Sequence, residues 1–145
     1  MATAQHILDR KGPQVWTVGK EASVLQGALI MNEHKIGALV VLDQGKVVGM
    51  FTERDVLLRV VAQHRDPADT QVADVMTTEV VCCTPATSIE EAQTAMMNRR
   101  IRHLPVVNDG RHLVGLISIG DLNAYQAAAR EETIYLLNEY IYGRS

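Results

Sequence analysis

This chain carries an internal repeat, and a repeat narrows the folds open to a sequence more than any other feature. Residues 9–45 match residues 74–110, with eight identical positions at one constant spacing. One residue is then inserted in the second copy, after which Asp55 matches Asp121. Two similar halves can bury a face against each other and leave two related clefts between them. Such a duplication also argues against a single asymmetric catalytic centre.

Composition excludes several classes of protein. At 145 residues, 47% of them hydrophobic, the chain has the material for one packed domain or two small intertwined ones. The net charge is −3, so the basic surface that nucleic acid requires is missing. The N-terminus shows no apolar signal segment, and no apolar run is long enough to span a bilayer. We therefore expect a soluble cytoplasmic protein that binds neither nucleic acid nor membrane.

The residue types that carry catalysis or bind metal are scattered. The five histidines lack the spacing of metal ligands, and no nucleophile elbow or phosphate-cradling glycine loop occurs. Cys82 and Cys83 are adjacent, so on an extended segment they point to opposite faces and cannot form an unstrained disulfide. Reduced structural thiols are the expectation, and a redox role is the alternative. The sequence thus predicts no catalytic residue, no metal site and no required cofactor.

Both copies read as strand, helix, strand, strand, helix. This order predicts an α/β (α+β) fold of two β-α-β-β-α repeats with pseudo-two-fold symmetry. Ser23 and Ser88 are expected to cap the first helix of each copy, and Glu91 completes a capping box in the second. Apolar runs predict strands at 15–18, 36–42 and 47–51 in the first copy and at 104–107 and 113–117 in the second. The second copy is expected to repeat the opening strand as well.

We place repeat 1 at residues 8–65, repeat 2 at residues 73–130, and a C-terminal helix with a tail at residues 131–145. That last helix contains three tyrosines within residues 135–142. It either covers its own domain or packs on a second subunit. Amphipathic aromatic rings are enriched at interfaces, which favours the second possibility.

Each copy ends its last strand with a hydroxyl residue, followed three positions later by an aspartate as a helix begins. The pairs are Thr52 with Asp55 and Ser118 with Asp121. Helix capping explains one such motif alone, but its duplication at matching places indicates a ligand as well. A carboxylate can accept bonds from two neighbouring hydroxyls, such as those of a ribose, while free helix amides can hold a phosphate. Arg54 adds a charge to the first motif only.

These motifs, in this order, resemble a tandem pair of cystathionine-β-synthase (CBS) domains, the regulatory unit also named a Bateman module. The resemblance rests on residues 36–41, 72–77 and 101–107 and on the two hydroxyl-aspartate motifs. It covers nearly the whole chain, so the sequence is similar to stand-alone CBS-pair proteins.

The resemblance implies one adenosyl-ligand site in each repeat. In the family the aspartate holds the ribose, the hydroxyl residue lies near the phosphate, the preceding strand meets the adenine, and the turn before the first helix lines the site. Site 1 would comprise Lys20, Ala22, Gly37, Ala38, Leu39, Thr52, Arg54 and Asp55. Site 2 would comprise Thr84, Ala86, Arg102, His103, Leu104, Pro105, Ser118 and Asp121.

The two implied sites are unequal. Arg54 has no counterpart in site 2, where Arg102 or His103 would have to contact the phosphate. Pro105 replaces Val40 and cannot donate to a sheet ladder, which leaves a neighbouring strand position free for a ligand. Two alternatives stay open: His103 as a packed side chain, and the basic cluster at 99–102 as a solvated helix end.

The resemblance implies a non-enzymatic module that binds AMP, ADP, ATP or a related adenosyl ligand. Such a module would form a homodimer and signal to a regulated protein that the sequence does not name, because the ligand favours one arrangement of the repeats. The alternative is a nucleotide-independent protein-interaction adaptor, for example one that regulates a redox enzyme. A hydrolase or transferase is the third class, and no residue constellation supports it.

Overall fold

The computed structural model describes residues 1–12 and 14–141, with the side chains of the last helix described as far as residue 131. A π-helical segment, Val56–Val61, continues the short helix Glu53–Asp55, and a 3-10 turn, Asp109–Arg111, joins the last two strands. In chain order the helices and strands are α1 (Ala4–Lys11), β1 (Thr17–Gly19), α2 (Val24–His34), β2 (Ala38–Asp43), β3 (Lys46–Thr52), α3 (Glu53–Asp55), α4 (Val72–Val75), α5 (Ile89–Arg99), β4 (His103–Val107), β5 (Leu113–Ser118) and α6 (Ile119–Ile141).

Repeat 1 forms a three-stranded sheet in the order β1-β2-β3. β1 pairs with β2 in parallel, and β2 and β3 form an antiparallel hairpin. The hairpin turn has positive φ at Gln44 and Gly45, 52° and 79°, which suits the twist of the flanking strands. The first four residues of β2 are buried, because α2 covers one face of this sheet and the second sheet covers the other. The nearly continuous apolar run in this strand predicted that double burial.

Repeat 2 contains an equivalent hairpin, β4-β5. Both hairpins carry a shift in strand register at the matching place, between Val41 and Leu42 in one and between Val106 and Val107 in the other. The duplication seen in the sequence is therefore also a duplication of strand pairing. The mixed α+β architecture of paired repeats is confirmed.

The opening strand expected in repeat 2 is absent from the described residues, where Cys83 forms only a single bridge to β4. Pro105 supplies the reason. In repeat 1 the Val40 N–H donates to the Trp16 carbonyl at 3.4 Å. Pro105 occupies the matching position and has no N–H, so it cannot donate to Val81 and the parallel ladder shortens.

The helix caps follow the prediction. The Ser23 hydroxyl accepts a bond from the Gln26 amide, and the Ser88 hydroxyl accepts one from the Glu91 amide, both at 3.1 Å. The Glu91 carboxylate returns a bond by accepting from the Ser88 N–H at 3.3 Å, which confirms the capping box.

The prediction of a separate C-terminal helix from residue 131 is wrong, because α6 is continuous from Ile119 to Ile141. No glycine or proline occurs between residues 121 and 141 to end the helix. The face that carries the C-terminal tyrosines lies outside the side chains that the structure describes, and Tyr142 lies outside the described residues altogether. No helix in the described part of the chain has the length and apolar character needed to cross a bilayer.

The entry helices of the two repeats are exchanged. Helix α1 lies at the start of repeat 1, yet its side chains Ala4, Ile7 and Leu8 belong to the core of repeat 2. Helix α4 precedes the body of repeat 2, yet Val72 and Val75 belong to the core of repeat 1. The boundaries at 8–65 and 73–130 remain our proposal for the sequence repeats, whereas each packing unit includes the entry helix of the other repeat.

The two sheets pack face to face through a third apolar cluster. Val40 and Met50 contribute from the first sheet, and Val107 and Leu116 contribute from the second. Arg111, in the turn that the inserted residue lengthens, donates from Nε to the Val47 carbonyl at 3.2 Å. This contact area between the sheets brings the two repeats together at the clefts described next.

Candidate functional site

A cleft between the repeats lies where helix α3 begins, and we name it the Asp55 cleft. Repeat 1 contributes Gly37 and residues 52–55 to its wall, and repeat 2 contributes residues 79–81 and 100–103. Its volume is about 480 Å³, inside the range of roughly 300–1,000 Å³ typical of small-molecule sites.

Asp55 is fixed at the base of this cleft and is 7% exposed. Its Oδ2 accepts from the Thr52 N–H at 3.0 Å, and its own N–H donates to Thr52 Oγ1 at 3.2 Å. Its Oδ1 lies 3.8 Å from Arg59 Nε, a separation too long for a hydrogen bond. Helix capping therefore holds the carboxylate in place while leaving acceptor capacity on it.

Arginines surround the Asp55 cleft. Arg59 is already engaged, since its guanidinium donates to the carbonyls of Val75 and Met76 at 3.0 and 3.1 Å. The other three arginines line the cleft and are exposed, and their guanidinium groups form no hydrogen bond or ion pair with the described residues; they are Arg54, Arg100 and Arg102. This cleft therefore offers positive charge that is available to an anionic group.

The second cleft lies at the corresponding end of repeat 2, and we name it the Ser118 cleft. Its volume is about 340 Å³. Trp16, the only tryptophan of the chain, is in its wall. The lining residues are Lys11, Gln14, Val15, Trp16, Ile36, Gly37, Ala38, His103, Leu116 and Ser118.

Asp121 is held beside this second cleft by the same reciprocal cap. Its Oδ2 accepts from the Ser118 N–H at 2.8 Å, and its N–H donates to Ser118 Oγ at 3.1 Å. Lys11 Nζ also bonds to Oδ2, at 2.7 Å. Burial alone would raise the pKa of Asp121, but the bonds from Lys11 and Ser118 outweigh burial and hold the pKa below its usual value. The ion pair with Lys11 is a feature that the sequence motif did not indicate.

The clefts combine residues from both repeats, whereas the sequence grouped them by repeat. Residues 52–55 share a cleft with Arg102 and His103, and Ser118 shares a cleft with residues 37–38. Because the sheets pack face to face, the start of β2 lies opposite the motif of repeat 2, and the start of β4 lies opposite the motif of repeat 1. Each cleft is therefore built from residues of both repeats, and not from one repeat alone as the sequence grouped them.

Four of the residues proposed from the resemblance lie away from both clefts. Lys20 and Ala22 follow the C-terminal end of β1, and Thr84 and Ala86 hold the equivalent place in repeat 2. The clefts lie at the opposite end of these opening segments. Lys20 Nζ instead pairs with Asp43 Oδ2 at 3.1 Å.

Residues at the beginning of the two opening segments line the clefts instead. Residues 14–16 line the Ser118 cleft, and residues 79–81 line the Asp55 cleft. The repeated valine at positions 15 and 80 was the sequence signal for them. Leu39, Leu104 and Pro105 are buried in the described fold, so any ligand contact there would have to use backbone groups.

His103 borders both clefts and is half-buried. Burial lowers the pKa of His103, Arg102 and Lys11 lower it further, and Asp121 and Glu53 act in the opposite direction. The folded protein therefore protonates this imidazole at lower pH than the unfolded chain does. Folding stability should fall as pH drops below the ordinary histidine value of 6.5, because the unfolded state then binds more protons.

We expect His103→Gln to reduce this pH dependence. Urea unfolding of the wild type at about pH 7.5 and about pH 5.5 should show a loss of stability at the lower pH, and the variant should show a smaller loss. The same loss in both proteins would contradict the assignment to His103.

The two thiols of the described chain are free. Burial raises the pKa of Cys83 to about 11, with a further contribution from Cys82. Burial also raises the pKa of Cys82, although the charge of Arg111 opposes it. Both side chains are therefore protonated near neutral pH, and a protonated thiol is a poor nucleophile. In the region with described side chains, no group of three or more His, Cys, Asp or Glu is placed to hold a metal ion.

Comparison with known families decides the identity of the repeats. The model described as CBS domain matches this chain twice, at residues 9–62 and at residues 72–128. The chain belongs to the CBS-domain family. The double match confirms the tandem CBS pair that the sequence motifs resembled.

Relatives of similar size share the arrangement. The CBS domain-containing protein YhcV of Bacillus subtilis (strain 168) is 41% identical over 120 residues, which cover 83% of this chain and 84% of that protein. A solved protein with CBS domains from Burkholderia ambifaria MC40-6 is 39% identical, with a TM-score of 0.81 and coverage of 88% of this chain and 95% of that one. The CBS domain pair of protein MJ0100, solved in complex with 5′-methylthioadenosine and S-adenosyl-L-methionine, is 25% identical, with a TM-score of 0.75 and coverage of 86% and 98%.

Proposed function

We propose that this protein is a non-catalytic regulatory module that binds an adenosyl ligand, with the Asp55 cleft as its main site. One observation carries the proposal: Asp55 presents a fixed, buried carboxylate with spare acceptor capacity, beside three arginines whose guanidinium groups have no partner among the described residues. A diol and a phosphate on one ligand would match these two features. MJ0100, which shares the fold, was solved with adenosyl compounds.

In the proposed complex the ribose hydroxyls donate to Asp55 and the phosphate accepts from Arg54, Arg100 and Arg102. The base lies against the starts of β2 and β4, where backbone groups and the absence of a side chain at Gly37 permit close approach. AMP, ADP and ATP fit this chemistry, and the three arginines favour a phosphorylated ligand over a bare nucleoside. Thr52 and Gly37 complete the proposed wall.

Regulation follows from the composite nature of the cleft. A ligand that contacts residues 52–55 and residues 100–103 touches both repeats, so it favours the arrangement of the repeats in which both contacts are made. A partner protein that recognises that arrangement would then respond to the ligand concentration. The two free thiols agree with a reducing compartment, and we propose a cytoplasmic location.

A calorimetric titration tests the proposal. The wild-type protein is titrated with AMP, ADP, ATP, NAD and S-adenosylmethionine in separate experiments, with inosine monophosphate as the control for the base. We expect saturable binding of at least one adenosyl compound. No detectable heat with any of them would overturn the proposed function.

We also propose that the protein forms a homodimer through the outer helices of repeat 1. Five large apolar side chains are exposed there: Leu25, Leu29, Leu57, Leu58 and Val61. The matching residues of repeat 2 are all exposed as well, but they are polar or small: Glu90, Thr94, Asn123, Ala124 and Ala127. An apolar face confined to one repeat is typical of a contact surface rather than of the fold itself.

Placing charge on this face should separate the dimer. We expect Leu29→Glu combined with Leu57→Glu to weaken self-association about 100-fold or more, because each carboxylate would have to be buried without a partner. The matched control is Thr94→Glu combined with Asn123→Glu, at the equivalent positions of repeat 2. Sedimentation velocity measures the outcome, and equal effects of the two pairs would contradict this surface.

A further inference from the structure

In the Asp55 cleft, Arg59 Nε lies 3.8 Å from Asp55 Oδ1 and makes no hydrogen bond to it, whereas Lys11 bonds directly to the matching aspartate beside the Ser118 cleft. Its ammonium group donates to Asp121 Oδ2 at 2.7 Å and to the Leu116 carbonyl at 2.8 Å. Lys11 and Ser118 line this cleft, while Asp121 does not. The ammonium group therefore binds the carboxylate of Asp121, the residue that matches Asp55 in the repeat.

The packing of helix α1 on repeat 2 sets the position of Lys11. Lys11 is the last residue of helix α1, and this helix is anchored in the core of repeat 2 by Ala4, Ile7 and Leu8. The exchange of entry helices between repeats is thus what carries Lys11 to Asp121. The residue at the matching place in the second copy is Met76, which has no charge to offer Asp55.

The acceptor capacity of the two aspartates differs as a result. Oδ2 of Asp121 already accepts from Lys11 and from the Ser118 N–H, which fills the two lone pairs of that oxygen. Oδ2 of Asp55 accepts from the Thr52 N–H alone among the described groups. In the bridging mode that a carboxylate allows, a ribose diol donates one hydroxyl to each carboxylate oxygen. Asp55 can provide both as it stands, whereas Asp121 must first release a donor.

We propose that Lys11 is an internal occupant of the Ser118 cleft, and that a ribose binds there only by displacing its ammonium group from Asp121. Lys11 is thereby a specificity-determining residue. It lowers the affinity of the Ser118 cleft for ribose-bearing ligands, so this cleft fills after the Asp55 cleft. The inference rests on the proposed function, since it assumes that ribose-bearing ligands enter these clefts.

Trp16 allows the Ser118 cleft to be observed by itself. This only tryptophan lines the Ser118 cleft and not the Asp55 cleft, so its fluorescence reports on the Ser118 cleft during a titration. The probe is adenosine, because an uncharged ligand is insensitive to the change in charge that replacing a lysine introduces. Titrations are made in the wild type and in an Asp55→Asn background, which suppresses binding at the other cleft.

Lys11→Met copies the residue of the matching position and removes the ion pair. We expect it to tighten adenosine binding at the Ser118 cleft about three- to tenfold, because a partly exposed ion pair no longer has to be broken. The control is Arg10→Met, which removes the same charge from the neighbouring exposed position of α1. It should leave the affinity within about twofold of the background.

Unchanged or weaker adenosine binding in Lys11→Met, relative to Arg10→Met, would overturn the inference. Its failure is distinguishable from failure of the proposed function. One possible outcome is that calorimetry shows adenosyl binding that Asp55→Asn removes, while Lys11→Met does not change the adenosine affinity measured by Trp16 fluorescence. That outcome would contradict only the role of Lys11. If no adenosyl ligand binds to the wild type or to any variant, the proposed function falls and the inference falls with it.

Discussion

Replacing Asp55 with alanine is expected to weaken AMP binding about 100-fold or more. Two hydroxyl groups that donate to one buried carboxylate contribute roughly 1.5–3 kcal/mol each, and both bonds disappear in the variant. The change leaves the three arginines in place, so any remaining affinity reports on phosphate and base alone. Isothermal titration calorimetry with AMP measures the loss.

Glu53→Ala is the matched control for Asp55→Ala. Glu53 is a carboxylate in the wall of the same cleft, but it is exposed and precedes Asp55 in the same helix. We expect its removal to leave AMP affinity equal to or slightly above that of the wild type, because a negative charge near a phosphate disappears. Loss of the Asp55 cap should also cost about 1 kcal/mol of folding stability, which thermal unfolding detects separately. Unchanged AMP affinity in a folded Asp55→Ala protein would show that the ribose does not bind to Asp55.

The second large effect concerns the exchanged helices. Leu8→Ala should destabilise the protein by about 2–5 kcal/mol, the range for removing a buried leucine side chain. Leu8 is 6% exposed and packs into the core of repeat 2 although it lies at the start of repeat 1 in the chain. A β-carbon placed on Gly115 would come within 2.6 Å of the Leu8 side chain, so the helix packs closely on β5. Urea denaturation monitored by circular dichroism measures the change.

Met97→Ala is the control for Leu8→Ala. Met97 lies on α5 of repeat 2 and is 69% exposed, so its truncation should change stability by about 0.5 kcal/mol or less. If Leu8→Ala is as mild as the control, helix α1 does not dock on repeat 2 in solution. That outcome would also remove the structural basis for the contact between Lys11 and Asp121.

Local signals in the sequence predicted most of the secondary structure. Ser23 and Ser88 marked two helix starts, and the alternation of strands and turns predicted both hairpins. Two elements differ for identifiable reasons. The opening strand of repeat 2 is lost because Pro105 removes a ladder donor, and α6 continues through residue 131 because no glycine or proline interrupts it.

The assembly of the clefts could not be read in the same way. The paired aspartates are visible in the repeat, but which segments face them depends on how the two sheets pack. That packing sets Arg102 opposite Asp55 and residues 37–38 opposite Ser118. The ion pair of Lys11 with Asp121 joins residues far apart in the chain, and it exists only because α1 crosses to the other repeat. Comparing the two copies of the repeat in the sequence does not reveal such a contact.

A crystal structure of the protein grown with AMP is the most direct test of whether Asp55 binds the ribose of an adenosyl ligand. We expect AMP in the Asp55 cleft, with the ribose hydroxyls within hydrogen-bond distance of the Asp55 carboxylate. We also expect the phosphate among Arg54, Arg100 and Arg102. An AMP molecule bound with its ribose away from Asp55, or an empty Asp55 cleft at a saturating AMP concentration, would show that Asp55 does not bind the ribose.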